Sequence, residues 1–144
     1  MHFERKRYLN LFLAIALMLS VPSIAQSQTI RDRNNCTIGK IESDGTVRDR
    51  NYMMIGRINS NGDIRDRNNR LLGKIGSNGD IRNDMNCLLG KVSSDGIVRN
   101  SNNMTIGKIC SDGSVRDRDN RLIGYAKGVP VIYAAVYFFF GLIR

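Results

Sequence analysis

The stretch "IGKIESDGTVRDRN" occupies Ile38 to Asn51, and the chain writes it again, with changes, four more times. "IGRINSNGDIRDRN" begins at Ile55, "LGKIGSNGDIRND" at Leu72, "LGKVSSDGIVRNS" at Leu89 and "IGKICSDGSVRDRD" at Ile106, each 17 residues after the last. A self-similarity of fixed period marks a repeat architecture, in which one unit cannot bury its apolar face alone and neighbours supply the rest. Each unit reads as a β-hairpin. Asp-Gly or Asn-Gly (Asp44, Asn61, Asn78, Asp95, Asp112 with the following glycine) sits between β-branched flanks such as Ile41 and Val47. That pattern is the strongest short hairpin signal and predicts a two-residue type I′ turn with positive φ at both central residues. The serine before it is placed to bond the turn backbone, and the Asn-rich stretch, as in "RDRNN" at Arg65 to Asn69, predicts a second turn.

Working outward, Ile38, Ile41 and Val47 and their equivalents give about three core side chains per unit. Ile38 and Ile41 are three apart, which strict alternation would send to opposite faces. The intervening Gly39 predicts either a bulge or a glycine needed for close packing between repeats. The array begins with "TIRDRNN" at Thr29, which is only the second strand of a unit, and ends with "LIGYAKG" at Leu122, which is only the first. Joined, the two halves make one more unit lacking its Asp-Gly turn. The predicted fold is therefore all-β, a closed ring of five to six 17-residue hairpins over residues 29–128, which leaves no sheet edge exposed. A small β-solenoid with one coil per 17 residues is the alternative.

Two further segments flank the ring. Arg5, Lys6 and Arg7, the apolar run "LNLFLAIALMLSVPSIA" and the small residues Ser23 and Ala25 predict a secretory signal peptide over 1–25. Export would place the protein in the periplasm, the outer envelope or outside the cell. Removing that segment's three bases and one acid leaves 19 basic and 12 acidic residues, a net charge of +7, and removes His2, the one histidine. At the other end, residues 129–144 hold "VPVIYAAVYFFFGLI", almost wholly apolar. A helix starting at Pro130 would rise roughly 20 Å at about 1.5 Å per residue, short of a bilayer core of about 30 Å. The segment is predicted to pack on or in the ring, with a membrane anchor, or membrane or partner docking through exposed Phe138, Phe139 and Phe140, as the alternatives.

The repeated "IGKI-SDG-VRDRN" unit, followed by "IGYAKGVP" and "AAVYFFFG", resembles the secreted bacterial proteins named five-fold β-flower proteins. The resemblance runs from about Thr29 to Gly141 and implies a radial all-β arrangement of hairpin petals. It implies no activity, substrate or catalytic residue. Five Asp/Asn-Gly turns against six Val/Ile-Arg strands leave the ring at five or six units.

The exported chain would have neither His nor Trp, so no Ser-His-Asp or Cys-His arrangement can be built. Cys36, Cys87 and Cys110 are an odd number at unclustered spacings, which predicts neither a zinc site nor a full set of disulfides. The expectation is a non-enzymatic structural or binding protein without metal or cofactor. Its remaining chemistry is the arginine series Arg31, Arg48, Arg65, Arg82, Arg99 and Arg116, one per unit. In a ring these would form a crown able to hold an anion or acidic glycan by paired hydrogen bonds. Pairing with the neighbouring Asp32, Asp49, Asp66 and Asp117 is the alternative. The residues name no partner: envelope polysaccharide, lipid or protein are the candidates, and mixed charge and export argue against nucleic acid.

Overall fold

A computed structural model of the chain describes residues 28–143. The expected signal peptide, 1–25, lies outside the described residues. Twelve short strands follow one another: β1 (Thr29–Asp32), β2 (Thr37–Ile41), β3 (Thr46–Asp49), β4 (Met54–Ile58), β5 (Asp63–Asp66), β6 (Leu71–Ile75), β7 (Asp80–Asn83), β8 (Leu88–Val92), β9 (Ile97–Asn100), β10 (Thr105–Ile109), β11 (Ser114–Asp117) and β12 (Leu122–Tyr125). Each pairs antiparallel with its chain neighbours, and β12 pairs with β1 to close a barrel. The ring reading holds, and the solenoid does not.

Closure reproduces the hairpin register. In β2–β3, Gly39 faces Asp49 and Lys40 faces Arg48. Across the seam, Gly124 faces Asp32 and Tyr125 faces Arg31. Five hairpins carry an Asp/Asn-Gly turn, and the two chain ends supply the sixth pair without one.

The turns differ in type from the sequence expectation. The Gly45 N–H donates to the Glu42 carbonyl at 2.9 Å, and the Glu42 N–H to the Thr46 carbonyl at 2.8 Å. The loop is therefore Ser43-Asp44-Gly45, three residues, with only the glycine left-handed at φ 89°. The Asp44 carboxylate accepts the Thr46 N–H at 2.9 Å, which holds the aspartate on the right-handed side. The second turn repeats this plan with Asn35, Asn69, Asn86, Asn103 and Asn120, and once Tyr52, in the left-handed place.

The bulge reading of Gly39 is met, and the close packing is against the tail residue Tyr137 rather than between repeats. Pairing jumps from Ile30–Gly39 to Arg31–Thr37, so Ile38 is the extra residue of a bulge. The same shift recurs in all six bulged pairs. Gly39 itself faces inward, on the same face as buried Ile41 and against Tyr137 of the tail. The bore needs such a filler because twelve strands enclose a wider space than the eight that side chains fill unaided. Ile30, Ile41, Val47, Ile64, Ile81, Val98 and Val115 line that bore with no exposed surface.

The tail fills what remains. Helix α1 (Val131–Ala135) starts one residue later than expected, with Pro130 as its N-cap, and widens into a π-helical turn over Val136–Phe140. Ala134, Ala135 and Val136 are completely buried. Beyond them, six side chains radiate like spokes, each to one unit's inward glycine. A Cβ placed on the glycine would stand 3.1 Å from Tyr137 Oη at Gly39, 2.6 Å from Phe138 Cε1 at Gly124 and 2.7 Å from Phe140 Cε1 at Gly90. The corresponding distances are 3.0 Å from Leu142 Cδ1 at Gly73 and 3.1 Å from Ile143 Cγ2 at Gly56; at Gly107 it would collide with the Phe139 ring. An α-helix of 3.6 residues per turn sets successive side chains about 100° apart, whereas six units stand about 60° apart. The looser π turn brings the aromatic run nearer the ring's spacing. Gly141, left-handed at φ 62°, then ends the helix and turns Leu142 and Ile143 to the last two units.

Candidate anion-binding surface

With Val47 buried and Gly39 turned inward, the alternation of a strand sends Lys40 and Arg48 to the outer wall. The register then sets cation against cation around the barrel: Lys40 faces Arg48, Arg57 faces Arg65, Lys74 faces Arg82, Lys91 faces Arg99 and Lys108 faces Arg116. Like charges directly opposite one another destabilise a ladder. Acids relieve part of it. Glu42 binds Arg48 at 2.9 Å, Asp44 binds Arg57 at 3.4 Å, Asp63 binds Arg65 at 3.0 Å and Lys74 at 3.9 Å, and Asp80 binds Arg82 at 3.8 Å. These acids all lie between β2 and β7. Among the described residues no ion pair reaches Arg31, Lys91, Arg99, Lys108 or Arg116, so that side of the belt keeps its charge.

The six arginines expected to form a crown are brought to one level, but on the outside. The centre holds the apolar tail. Most also brace the adjacent turn: Arg65 Nη1 donates to the Asn69 carbonyl at 2.9 Å, and Arg31, Arg48, Arg82 and Arg116 make the same bond to Asn35, Tyr52, Asn86 and Asn120. Arg99 donates to the Thr105 hydroxyl instead. Each guanidinium keeps further N–H groups for a partner.

The aspartates of "RDR" do not pair with these arginines. The Asp49 carboxylate accepts the Asn51 and Met53 N–H groups, and Asp32, Asp66 and Asp117 cap their own turns alike. Asn83 and Asn100 do the same through a neutral oxygen, which shows that the bond, and not the charge, is what the turn requires.

At the opposite rim, Asp44 and Asp112 are held below the ordinary carboxylate range. For Asp44 the Thr46 N–H bond is the main cause, and for Asp112 the Ser114 hydroxyl at 2.6 Å. Phe138, Phe139 and Phe140 point into the ring and are only partly exposed, so this arrangement does not present them as protruding docking groups. Cys36, Cys87 and Cys110 are free thiols. Among the described residues no helix is long and apolar enough to cross a membrane, and no acid, Cys and His cluster suits a metal.

A model of the 5-fold beta-flower protein family matches residues 27–141, the whole ring and the tail as far as Gly141. The chain belongs to that family. No curated protein matches it. In this beta-flower five hairpins are closed by an Asp/Asn-Gly turn, and the seam between β12 and β1 adds a sixth, turnless position. The beta-flower's wall also contains a residue that sequence reasoning passed over, Tyr52. Its signal was a single break in a run of Asn at steps of 17.

Proposed function

We propose that this beta-flower is an exported, non-enzymatic binding protein that holds an anionic polysaccharide of the cell envelope on its outer wall. The observation that carries the reading is the register: it sets one basic side chain opposite another across every turned hairpin, an arrangement that an acidic polymer would relieve. The spacing suits a polymer, because units repeat around the wall and present guanidinium groups that bind carboxylates two-pronged. Export rests on the n-region, apolar run and small-residue site of residues 1–25. A non-enzymatic role rests on the absence of histidine after residue 2 and on polar side chains engaged in turns.

The test is retention of the exported chain on immobilised polygalacturonate, eluted with salt. The parent protein is expected to be retained and to elute at moderate ionic strength, since exposed charges are screened over about 8–10 Å. Changing Arg65, Arg82 and Arg99 together to Gln should lower the eluting salt, while retention on a neutral glucan stays absent. Equal retention of the triple variant would remove the wall from the reading.

A further inference from the structure

One position of the ring departs from its own repeat. The residue that closes the arginine-bearing turn in left-handed conformation is Asn in five units and Tyr52 in one, all at φ between 63° and 67°. Asn accepts that backbone region readily, whereas a bulky side chain there is a genuine outlier. Local folding therefore favours Asn at this position, and the tyrosine calls for another reason.

The surroundings supply one. Tyr52 is 58% exposed. Arg48 Cζ lies 4.9 Å and Lys40 Nζ 5.3 Å from its ring centroid. Lys40 donates to Tyr52 Oη at 3.3 Å, and Tyr52 Oη donates to Glu42 at 3.4 Å, so the ring is held in place. Beside it opens a cleft of about 270 Å³ lined by Thr29, Arg31, Thr37, Lys40, Asp49 and Arg50. Small-molecule sites begin at about 300 Å³, so the cleft suits a single ring-sized unit. No ion pair among the described residues engages Arg31, Lys40 or Arg50. The Asp49 carboxylate is already committed to the turn.

We propose that this cleft is the subsite for one acidic sugar residue of the uronic-acid class. Arg31, Lys40 and Arg50 take the carboxylate, the Thr37 hydroxyl faces the sugar hydroxyls, and the exposed surface of Tyr52 takes the apolar face of the sugar ring. A bare anion would need only the cations, which an Asn at position 52 would leave in place; the aromatic ring is what a sugar adds. The proposal rests on the anionic-polymer reading of the wall and places one residue of that polymer.

The experiment is calorimetric titration of the exported chain with a galacturonic acid trisaccharide, its neutral galactose counterpart and inorganic phosphate. The acidic trisaccharide is expected to bind, and the other two to bind at least tenfold more weakly. Tyr52→Asn restores the repeat's own residue. It should reduce affinity at least tenfold while leaving the melting temperature equal or higher, which separates a binding role from a folding one. Arg50→Gln should weaken binding and Lys108→Gln, on the far wall, should not. Unchanged affinity in Tyr52→Asn, or phosphate binding as tightly as the trisaccharide, overturns the subsite. If Tyr52→Asn binds like the parent while the Arg65, Arg82 and Arg99 triple variant loses polymer retention, the subsite falls and the wall reading stands; if the parent binds no acidic glycan, both fall.

Discussion

Gly124 and Phe138 share one space at the residue scale. A side chain on Gly124 would meet the Phe138 ring and, equally close at 2.6 Å, the Arg31 carbonyl. Gly124→Val is expected to cost about 1–3 kcal/mol by overpacking, read by urea unfolding. Combining it with Phe138→Leu should recover only the share due to the ring, because the carbonyl cannot give way. The sequence held both residues in plain view and allowed close packing for the glycine series, but nothing in it paired Gly124 with Phe138. Asp112 offers a second residue-scale prediction. Hydrogen bonds from Ser114, hydroxyl first, favour its ionised form and lower its folded pKa. Its contribution is complete above the unfolded value of about 3.9 and is lost as pH falls through the lower folded pKa. Asp112→Asn should therefore flatten part of the acid limb of a melting-temperature profile below about pH 4. The turn itself should survive, since Asn61 makes the equivalent bond to the Asp63 N–H at 3.0 Å.

The element that matters is the three-residue turn, used twice in each turned unit. Its glycine and its asparagine are not equally replaceable. A Cβ at Gly79, φ 87°, would run into the Val92 carbonyl of the next hairpin as well as strain the backbone. Asn86→Ala should cost about 1–2 kcal/mol, the ordinary penalty of left-handed backbone. Gly79→Ala should cost more, and thermal melts of the two variants check the order. The hairpins were legible because Asp-Gly and Asn-Gly need a left-handed residue and the flanks are β-branched. The turn type was not, because a glycine at positive φ serves both the type I′ loop and the three-residue loop. The side-chain bond from Asp44 to the Thr46 N–H decides between them, and sequence alone does not say which N–H a carboxylate will reach.

For the whole molecule, the ring and its plug share one core and are expected to unfold together. Ending the chain at Gly128 removes Ala134, Ala135, Val136 and all six spokes and leaves a wide bore lined by isoleucine and valine. Loss of near-UV circular dichroism and strong binding of a hydrophobic dye are expected, with strand content partly kept. Deleting residues 55–71, one full period, tests the same match without touching the tail. Five inward glycines would then face six spokes, and the variant should be far less stable than a simple loss of one-sixth of the wall implies. Matched denaturant melts of the two chains provide the check.

The sequence by itself determined the period of 17, the two strands and two turns of each unit, and the incomplete ends that complete one another. These are local or pairwise properties, written in turn residues and β-branched flanks. Only the tertiary structure decided where each face points. Closure fixes the inside of the barrel, and that choice turned the glycines toward the tail, wound Val136–Phe140 into a π turn and set the arginines on the outer wall. A strand's alternation makes two faces equivalent until something fills the space between them; here the filler's Tyr137 lies nearly 100 residues beyond Gly39, in the first strand it touches.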